Sequence, residues 1–231
     1  MRAGLGLVVG VLVVVAASGC GEQEASPGST ASGSPSASAS ASASASPSAS
    51  AGGGAEAKKR GASATKKALL PASAFKKVGL SVKEEPTEDK WDWFSSCEPY
   101  LPSESRQVTG YNGQWKGEGL IVSQTVVAYP DGVAEDIVGE VKKAVTCTEY
   151  TAGESSFTKV ATLKLPAVDE ADATHAWCMR QDDEFFVCHS VLAAQDLVSN
   201  LWVASEDKED AVDALETLTK LAAARIRAQI R

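Results

Sequence analysis

The chain has 231 residues, of which 44% are hydrophobic, and it carries a formal net charge of −8 at pH 7. The stretch 68–231 is more acidic, with 16 Lys and Arg against 27 Asp and Glu, a net charge of −11. An acidic domain repels phosphate backbones, so this composition argues against a nucleic-acid partner. The stretch has the length of one domain with its own core.

Residues 1–19 have the three parts of a secretory signal peptide in their usual order. Arg2 precedes an apolar run at 5–17, and this run is shorter than the ~20 residues that a membrane-spanning helix needs. Small residues then precede Cys20, an order that resembles the lipobox of bacterial lipoproteins. We therefore expect cleavage before Cys20 and lipidation of this cysteine, with palmitate among the attached chains. The alternative is ordinary secretion with a free Cys20 thiol.

The segment 20–67 consists mainly of Ser, Ala, Gly and Pro. Such a composition cannot bury enough apolar surface to offset the entropy of ordering, so it predicts a disordered tether with a reach of roughly 35 to 40 Å. The tether would hold the domain at the outer face of the cytoplasmic membrane, anchored by lipid and extending into the cell wall. A basic cluster near its end either contacts anionic head groups or wall phosphates or is simply solvated; its members are Lys58, Lys59, Arg60, Lys66 and Lys67.

The stretch 68–231 predicts an α+β domain whose strands follow one another through short turns. The clearest strand lies at 119–129, where β-branched residues alternate faces. Consecutive strands of this kind favour an antiparallel sheet of about five strands with helices packed on one face. In chain order we predict a short helix at 69–79, a strand at 119–129, a helix at 132–145, strands at 157–165, 175–181, 184–193 and 197–204, and a final helix at 207–230.

Four cysteines remain once Cys20 is assigned to lipid, an even number that suits an oxidising compartment. A three-residue loop at 182–184 joins two predicted strands and places Cys178 opposite Cys188, within bridging distance. By elimination Cys97 pairs with Cys147, which closes a loop worth about 4 kcal/mol. The alternative, a four-cysteine zinc site, lacks a close Cys-x-x-Cys pair.

The same hairpin register makes the two histidines of the chain informative. It places Trp177 opposite His189 and His175 opposite Val191, so both imidazoles lie on one face as diagonal neighbours. Two histidines there would ligate a metal, line a cleft or simply pack. No third metal ligand is visible, so we predict neither a metal site nor a cofactor. We take His175, Trp177 and His189 as candidate ligand-binding residues.

Tryptophans at two further places complete the set of candidate ligand-binding residues. Trp91 and Trp93 flank Asp92, and Trp115 precedes the clearest strand. Aromatic faces beside acids suit a sugar or a cationic amphiphile. The alternative is that these rings anchor an irregular segment to the core.

No complete catalytic signature is present in the sequence. Ser73-Ala-Phe-Lys76 and Ser156-Phe-Thr-Lys159 match Ser-x-x-Lys, but neither is accompanied by the Ser-Asp-Asn or Lys-Thr-Gly motif that penicillin-recognising enzymes use. We therefore predict a protein that is not an enzyme. The alternatives are an envelope hydrolase whose carboxylates a single sequence cannot align, and a non-catalytic protein that spaces the wall.

The order of these features resembles a known family. A Leu-Leu…Phe…Gly helix is followed by Cys97, a strand ending in Val-Val-Ala-Tyr-Pro-Asp131, a helix running into Cys147, the cysteine hairpin and a closing Ala/Arg-rich helix. This arrangement resembles the extracellular sensor domain of actinobacterial Ser/Thr kinases of the PknH type, a domain that also occurs on lipoproteins. The resemblance implies an α+β module with two disulfides and a large cleft for a ligand. We therefore expect a lipoprotein that binds an envelope small molecule or cell-wall component, or senses it for a protein signalling partner.

Overall fold

The computed structural model of the chain describes residues 53–89, 101–117, 119–130, 133–165, 168 and 171–230. The side chains of 53–60, 82–84 and 230 are outside this description. The signal peptide, Cys20, Trp91, Trp93 and Cys97 also lie outside the described residues, so the predictions made for them stay predictions.

The described residues contain four helices, eight strands and a short 3-10 turn at Glu104–Arg106. The helices are α1 (Gly53–Ala68), α2 (Ala72–Lys76), α3 (Ala134–Ala144) and α4 (Lys208–Ile230). The strands are β1 (Ser81–Glu88), β2 (Thr109–Gly117), β3 (Leu120–Ala128), β4 (Glu149–Ala152), β5 (Ser155–Leu163), β6 (Ala173–Gln181), β7 (Phe185–Ala194) and β8 (Leu197–Ser205). This content confirms the predicted α+β class.

The strands form one sheet in the order β1-β2-β3-β8-β7-β6-β5-β4, and every neighbouring pair is antiparallel. β1 to β3 form one meander and β4 to β8 form a second. α3 connects them and carries the chain from the centre of the sheet to its far edge. β8 then pairs with β3, from Leu120 opposite Ser205 to Ala128 opposite Leu197. The centre of the sheet is therefore joined by strands that are distant in sequence.

Helices cover both faces of the sheet. α1, α2 and α4 pack on one face, which we call the α4 face, and α3 packs on the other, the α3 face. Neighbouring residues of a strand point to opposite faces, so Val126 is buried on the α4 face and Val127 on the α3 face. The prediction of helices on one face is wrong, because the central strands carry apolar side chains on both sides and each side needs a cover.

The sheet has eight strands and not about five. The five predicted strands are present, and their bounds differ from the predicted ones by at most two residues. The prediction omits β1, which contains Pro86, β2, which contains three glycines, and β4, which has 4 residues. Proline and glycine disfavour strands in isolation. These three segments become strands because a neighbouring strand supplies their hydrogen bonds.

α1 begins at Gly53, inside the segment predicted to be a disordered tether. Thr65 and Ala68 of this helix are fully buried, and Arg225 Nε of α4 donates a hydrogen bond to Lys67 O at 2.7 Å. A helix of 16 residues that contains three glycines is marginal on its own, so α1 depends on packing against β2, β3 and α4. The folded part therefore begins before residue 68.

The β6–β7 hairpin has the predicted register. Gln181 pairs with Phe185, and the loop between them contains Asp182 and Asp183 with positive φ angles of 49° and 60°. Aspartate adopts this conformation more readily than most residues. The Asp182 carboxylate accepts hydrogen bonds from Ser156 N at 2.7 Å and Ser156 Oγ at 3.1 Å, which fastens the loop to β5.

Cys178 lies opposite Cys188 in this hairpin, and the two form the predicted disulfide, with Cα atoms 4.0 Å apart. The bridge is buried in the core of the α4 face. The structure therefore describes both cysteines of one disulfide, whereas the sequence analysis predicts two disulfides. Cys147 is also disulfide-bonded, but Cys97 lies outside the described residues, so their pairing with each other stays a prediction.

Candidate functional site

Ten side chains form two parallel rows on the α3 face of the sheet. Each row crosses β2, β3, β8, β7 and β6 through directly paired positions. We call these ten residues the polar array, since a single member is aliphatic. The first row is Asn112, Thr125, Asn200, Val191 and His175, and the second is Gln114, Ser123, Trp202, His189 and Trp177.

The strand register sets the size and the position of the polar array. Adjacent strands lie about 4.8 Å apart, so each row is about 19 Å long, and the two rows are about 7 Å apart along the strands. The neighbouring row beyond Thr125 is apolar and packs with α3; it contains Val127, Val198 and Ala193. The polar array therefore borders the apolar contact with α3, and two of its members, Val191 and Trp177, are fully buried in the same cluster as the α3 side chains.

The two imidazoles and one indole of the array form a continuous ring stack. The rings of Trp177 and His189 have centroids 4.8 Å apart and planes 4° apart. His175 and Trp177 have centroids 5.6 Å apart and planes 21° apart. Trp177 and His189 are buried, whereas His175 is partly exposed. The predicted placement of both histidines on one face, beside Trp177, is confirmed.

Burial keeps both imidazoles neutral near pH 7. It lowers the pKa of His189 to about 4. The pKa of His175 is also lowered, first by burial and then by the positive charges of Lys142 and Lys159. A neutral imidazole has one nitrogen that donates a hydrogen bond and one that accepts. Each histidine therefore presents hydrogen-bonding groups without a charge.

Amide and hydroxyl groups form the other end of the array. Asn112 Nδ2 donates hydrogen bonds to Ser123 Oγ at 3.0 Å and to Thr125 Oγ1 at 2.7 Å. Ser123 and Thr125 are buried, while Asn112 is partly exposed. These bonds join β2 to β3 through side chains and fix the orientation of the two hydroxyls.

Two polar atoms of the first row are buried without a hydrogen-bond partner among the described residues, namely Asn200 Oδ1 and His175 Nε2. Asn200 is 8% exposed. An unpaired buried group costs about 1–3 kcal/mol, and native structures pair most such groups. Asn200 and His175 stand two strands apart, about 10 Å at the backbone, with Val191 between them. The row thus contains two polar atoms that lack a hydrogen-bond partner in the described part of the chain, and we call them its unmet hydrogen-bonding groups.

Lys142 and Lys159 lie near the His175 end of the array. Lys142 is exposed on α3, and Lys159 is partly buried on β5. Lys159 Nζ donates a hydrogen bond to Val145 O at 2.6 Å. This ammonium group is therefore held against the carboxyl end of α3.

Trp115 lies on the α4 face, on the side of the sheet opposite the array. Its ring stacks on Phe75 with centroids 3.6 Å apart and planes 15° apart, and it is 2% exposed. A Cβ atom at Gly113 would lie 2.6 Å from Trp115 Cη2, so glycine at this position makes room for the indole. Trp115 therefore occupies a packed core position away from His175, Trp177 and His189.

The sequence prediction missed the array members on β2, β3 and β8. Among them are Asn112, Thr125 and Asn200, which lie in one row only because β2 pairs with β3 and β3 pairs with β8. One signal was available in the sequence: Ser199 and Asn200 interrupt the apolar run of β8. Two adjacent polar residues in a central strand place one of them on each face, which indicates a polar group in both cores.

Within the described part of the chain, no three His, Cys, Asp or Glu side chains lie close enough together to hold a metal ion. In the same part, no helix is both long and apolar enough to cross a membrane.

No protein-family model and no curated protein matches the chain. The extracellular domain of PknH from Mycobacterium tuberculosis is similar in structure, with a TM-score of 0.52 over 73% of this chain and 95% of that chain, at 14% sequence identity. An uncharacterised protein of Mycobacterium smegmatis, an ortholog of Rv0999, gives a TM-score of 0.40 over 74% of this chain and 96% of that chain, at 15% identity. The first match confirms the predicted resemblance at the level of the fold: the chain has the fold of the PknH extracellular domain.

Proposed function

We propose that this chain is an extracytoplasmic ligand-binding protein of the sensor type, and that the polar array binds its ligand. The observation that carries the proposal is the pair of unmet hydrogen-bonding atoms, Asn200 Oδ1 and His175 Nε2, in one row of the array. A buried polar atom without a partner is unfavourable, so a ligand that forms a hydrogen bond with it stabilises the complex. The ligand is a small molecule or a wall component of the cell envelope.

Three features support an extracytoplasmic location. The fold is that of a domain described as extracellular in PknH. The Cys178–Cys188 disulfide suits an oxidising compartment. The sequence before Cys20 has the pattern of a lipoprotein signal. We therefore propose that lipid on Cys20 anchors the protein at the outer face of the cytoplasmic membrane, and that ligand binding is passed to a protein signalling partner.

The test is native mass spectrometry of the full chain, extracted from its own cell envelope in mild detergent under non-reducing conditions. We expect a non-covalent adduct that survives purification and is released by denaturation. The mass of the denatured chain would also report lipidation of Cys20. The same experiment on the Asn200→Leu variant should show the adduct reduced or lost.

A matched control is Thr158→Val, which removes a polar group from an exposed position of β5 outside the array. This variant should retain the adduct of the unmodified chain. An adduct that is equally abundant in Asn200→Leu and in the unmodified chain would show that the array is not the binding site. A chain that carries no adduct and binds no envelope extract would contradict the proposed function.

A further inference from the structure

We propose that the ligand of the polar array is a neutral saccharide of at least two sugar units. This inference rests on the proposed function and adds the chemical class of the ligand. It follows from the side-chain chemistry of the array, from its charge and from the spacing of its unmet hydrogen-bonding groups.

The side chains of the array match the two kinds of surface that a sugar presents. Three are amides, two are hydroxyls, four are aromatic or imidazole rings and one is aliphatic. Amides and hydroxyls both donate and accept, as sugar hydroxyls do. Rings offer flat apolar faces with a polar edge, which suit the C–H face of a sugar ring. Trp202, at the centre of the second row, is partly exposed and is the ring available for this contact.

The charge of the array favours a neutral ligand over an ionic one. All ten side chains are uncharged near pH 7, because burial lowers the pKa values of His175 and His189. A charged ligand group placed against them would lose its hydration without gaining an ionic partner. Of the two neighbouring lysines, Lys142 is exposed and Lys159 is bonded to Val145 O. The net charge of −11 on the stretch 68–231 further opposes an anion.

The spacing of the unmet groups indicates the length of the ligand. Asn200 Oδ1 needs a donor, and His175 Nε2 needs a partner two strands away, a backbone separation of about 10 Å. One sugar ring does not cover that distance, whereas two linked rings do. Val191 lies between the two groups and is fully buried, so it adds no polar group of its own to the row.

The experiment titrates the detergent-solubilised full chain by calorimetry with maltotriose, xylotriose and chitotriose as neutral probes, and with trigalacturonate and inorganic phosphate as anionic probes. We expect at least one neutral trisaccharide to bind and both anionic probes to give no heat. Asn200→Leu and Trp202→Ala should each lower the affinity for the neutral probe about tenfold or more. Thr158→Val should leave its affinity within about twofold.

Three other results would overturn the inference, and each of them points to a different error. If phosphate or trigalacturonate binds and the neutral probes do not, the ligand class is wrong while the proposed ligand-binding function stands. A neutral probe that binds Asn200→Leu and Trp202→Ala as tightly as the unmodified chain would move the site elsewhere. If all probes fail and the native adduct is not a carbohydrate, the class is wrong; if there is also no adduct, the proposed function fails with it.

Discussion

The two faces of the sheet treat the same chemical group differently. On the α4 face Gln124 is fully buried, and both ends of its amide are paired. Its Oε1 accepts a hydrogen bond from Leu70 N at 2.8 Å, and its Nε2 donates one to Ser199 Oγ at 3.1 Å. On the α3 face the amide of Asn200, the residue after Ser199, keeps Oδ1 unpaired. The Gln124 amide is hydrogen-bonded at both ends, whereas the Asn200 amide oxygen has no partner among the described residues.

A second polar pair on the α4 face is hydrogen-bonded as well. On the α4 face the Ser190 and Thr219 hydroxyls are hydrogen-bonded at 2.7 Å, and Thr219 Oγ1 also donates to Leu215 O. The residue before Ser190, His189, belongs to the array on the α3 face. The α4 face has one exception among its described polar atoms, since Trp115 Nε1 is buried without a partner. The pairing on the α4 face stabilises the fold, while Asn200 Oδ1 and His175 Nε2 on the α3 face stay unpaired within the part of the chain that the structure describes.

The largest loss of stability should come from removing the paired amide of Gln124. Gln124→Leu leaves Leu70 N–H and the Ser199 hydroxyl buried without partners, so we expect a loss of about 4 kcal/mol in the free energy of unfolding. Denaturant unfolding followed by circular dichroism would measure this as a lower midpoint at an unchanged slope. A loss below about 1 kcal/mol would show that the two hydrogen bonds contribute little.

An effect of intermediate size should come from protonation of His189. The pKa of this imidazole is 6.5 in its ordinary state and about 4 in the fold, so the unfolded chain binds more protons between these values. The free energy of unfolding should therefore fall as pH falls from about 6.5 to about 4, by about 3 kcal/mol in total. Unfolding curves at several pH values in this window would measure the fall, to which His175 contributes with the same sign.

The matched variant for this prediction is His189→Phe, which keeps a ring against Trp177 but cannot be protonated. We expect its stability to vary less with pH between about 6.5 and 4 than that of the unmodified chain. Asp172 and Asp182 have lowered pKa values because of hydrogen bonds from Gln195 N and Ser156 N, respectively. They reduce stability in a lower pH window, as their carboxylates become protonated. An unchanged slope in His189→Phe would contradict the assignment to His189.

The smallest effect on stability should come from Asn200→Leu, although the chemical change matches Gln124→Leu. Removing an unpaired Oδ1 breaks no hydrogen bond within the described residues, so we expect a change of less than about 1 kcal/mol in either direction. The same denaturant experiment measures it. A loss as large as that of Gln124→Leu would mean that Asn200 belongs to the structural core, and the contrast between the faces would disappear.

Local rules predicted one half of the candidate site and could not predict the other. The three-residue loop at 182–184 fixes the β6–β7 register, so the placement of Trp177 opposite His189 follows from the sequence. Asn112 and Asn200 enter the site through pairing of β2 with β3 and of β3 with β8, and neither β2 nor the β3–β8 pairing was predicted. α1 was missed for a related reason, since its helix depends on contacts with residues far along the chain.

The pairing of β3 with β8 also determines at which stage of folding the polar array forms. Leu120 meets Ser205, so the centre of the sheet closes only after the final strand has been made. Contacts between distant segments form slowly, because the entropy of closing the loop is lost before the pairing is gained. The array lies across this junction, with Asn112 and Thr125 on one side and Asn200 and His189 on the other. The polar array is therefore a late product of folding, present in the complete domain and in no fragment that ends before β8.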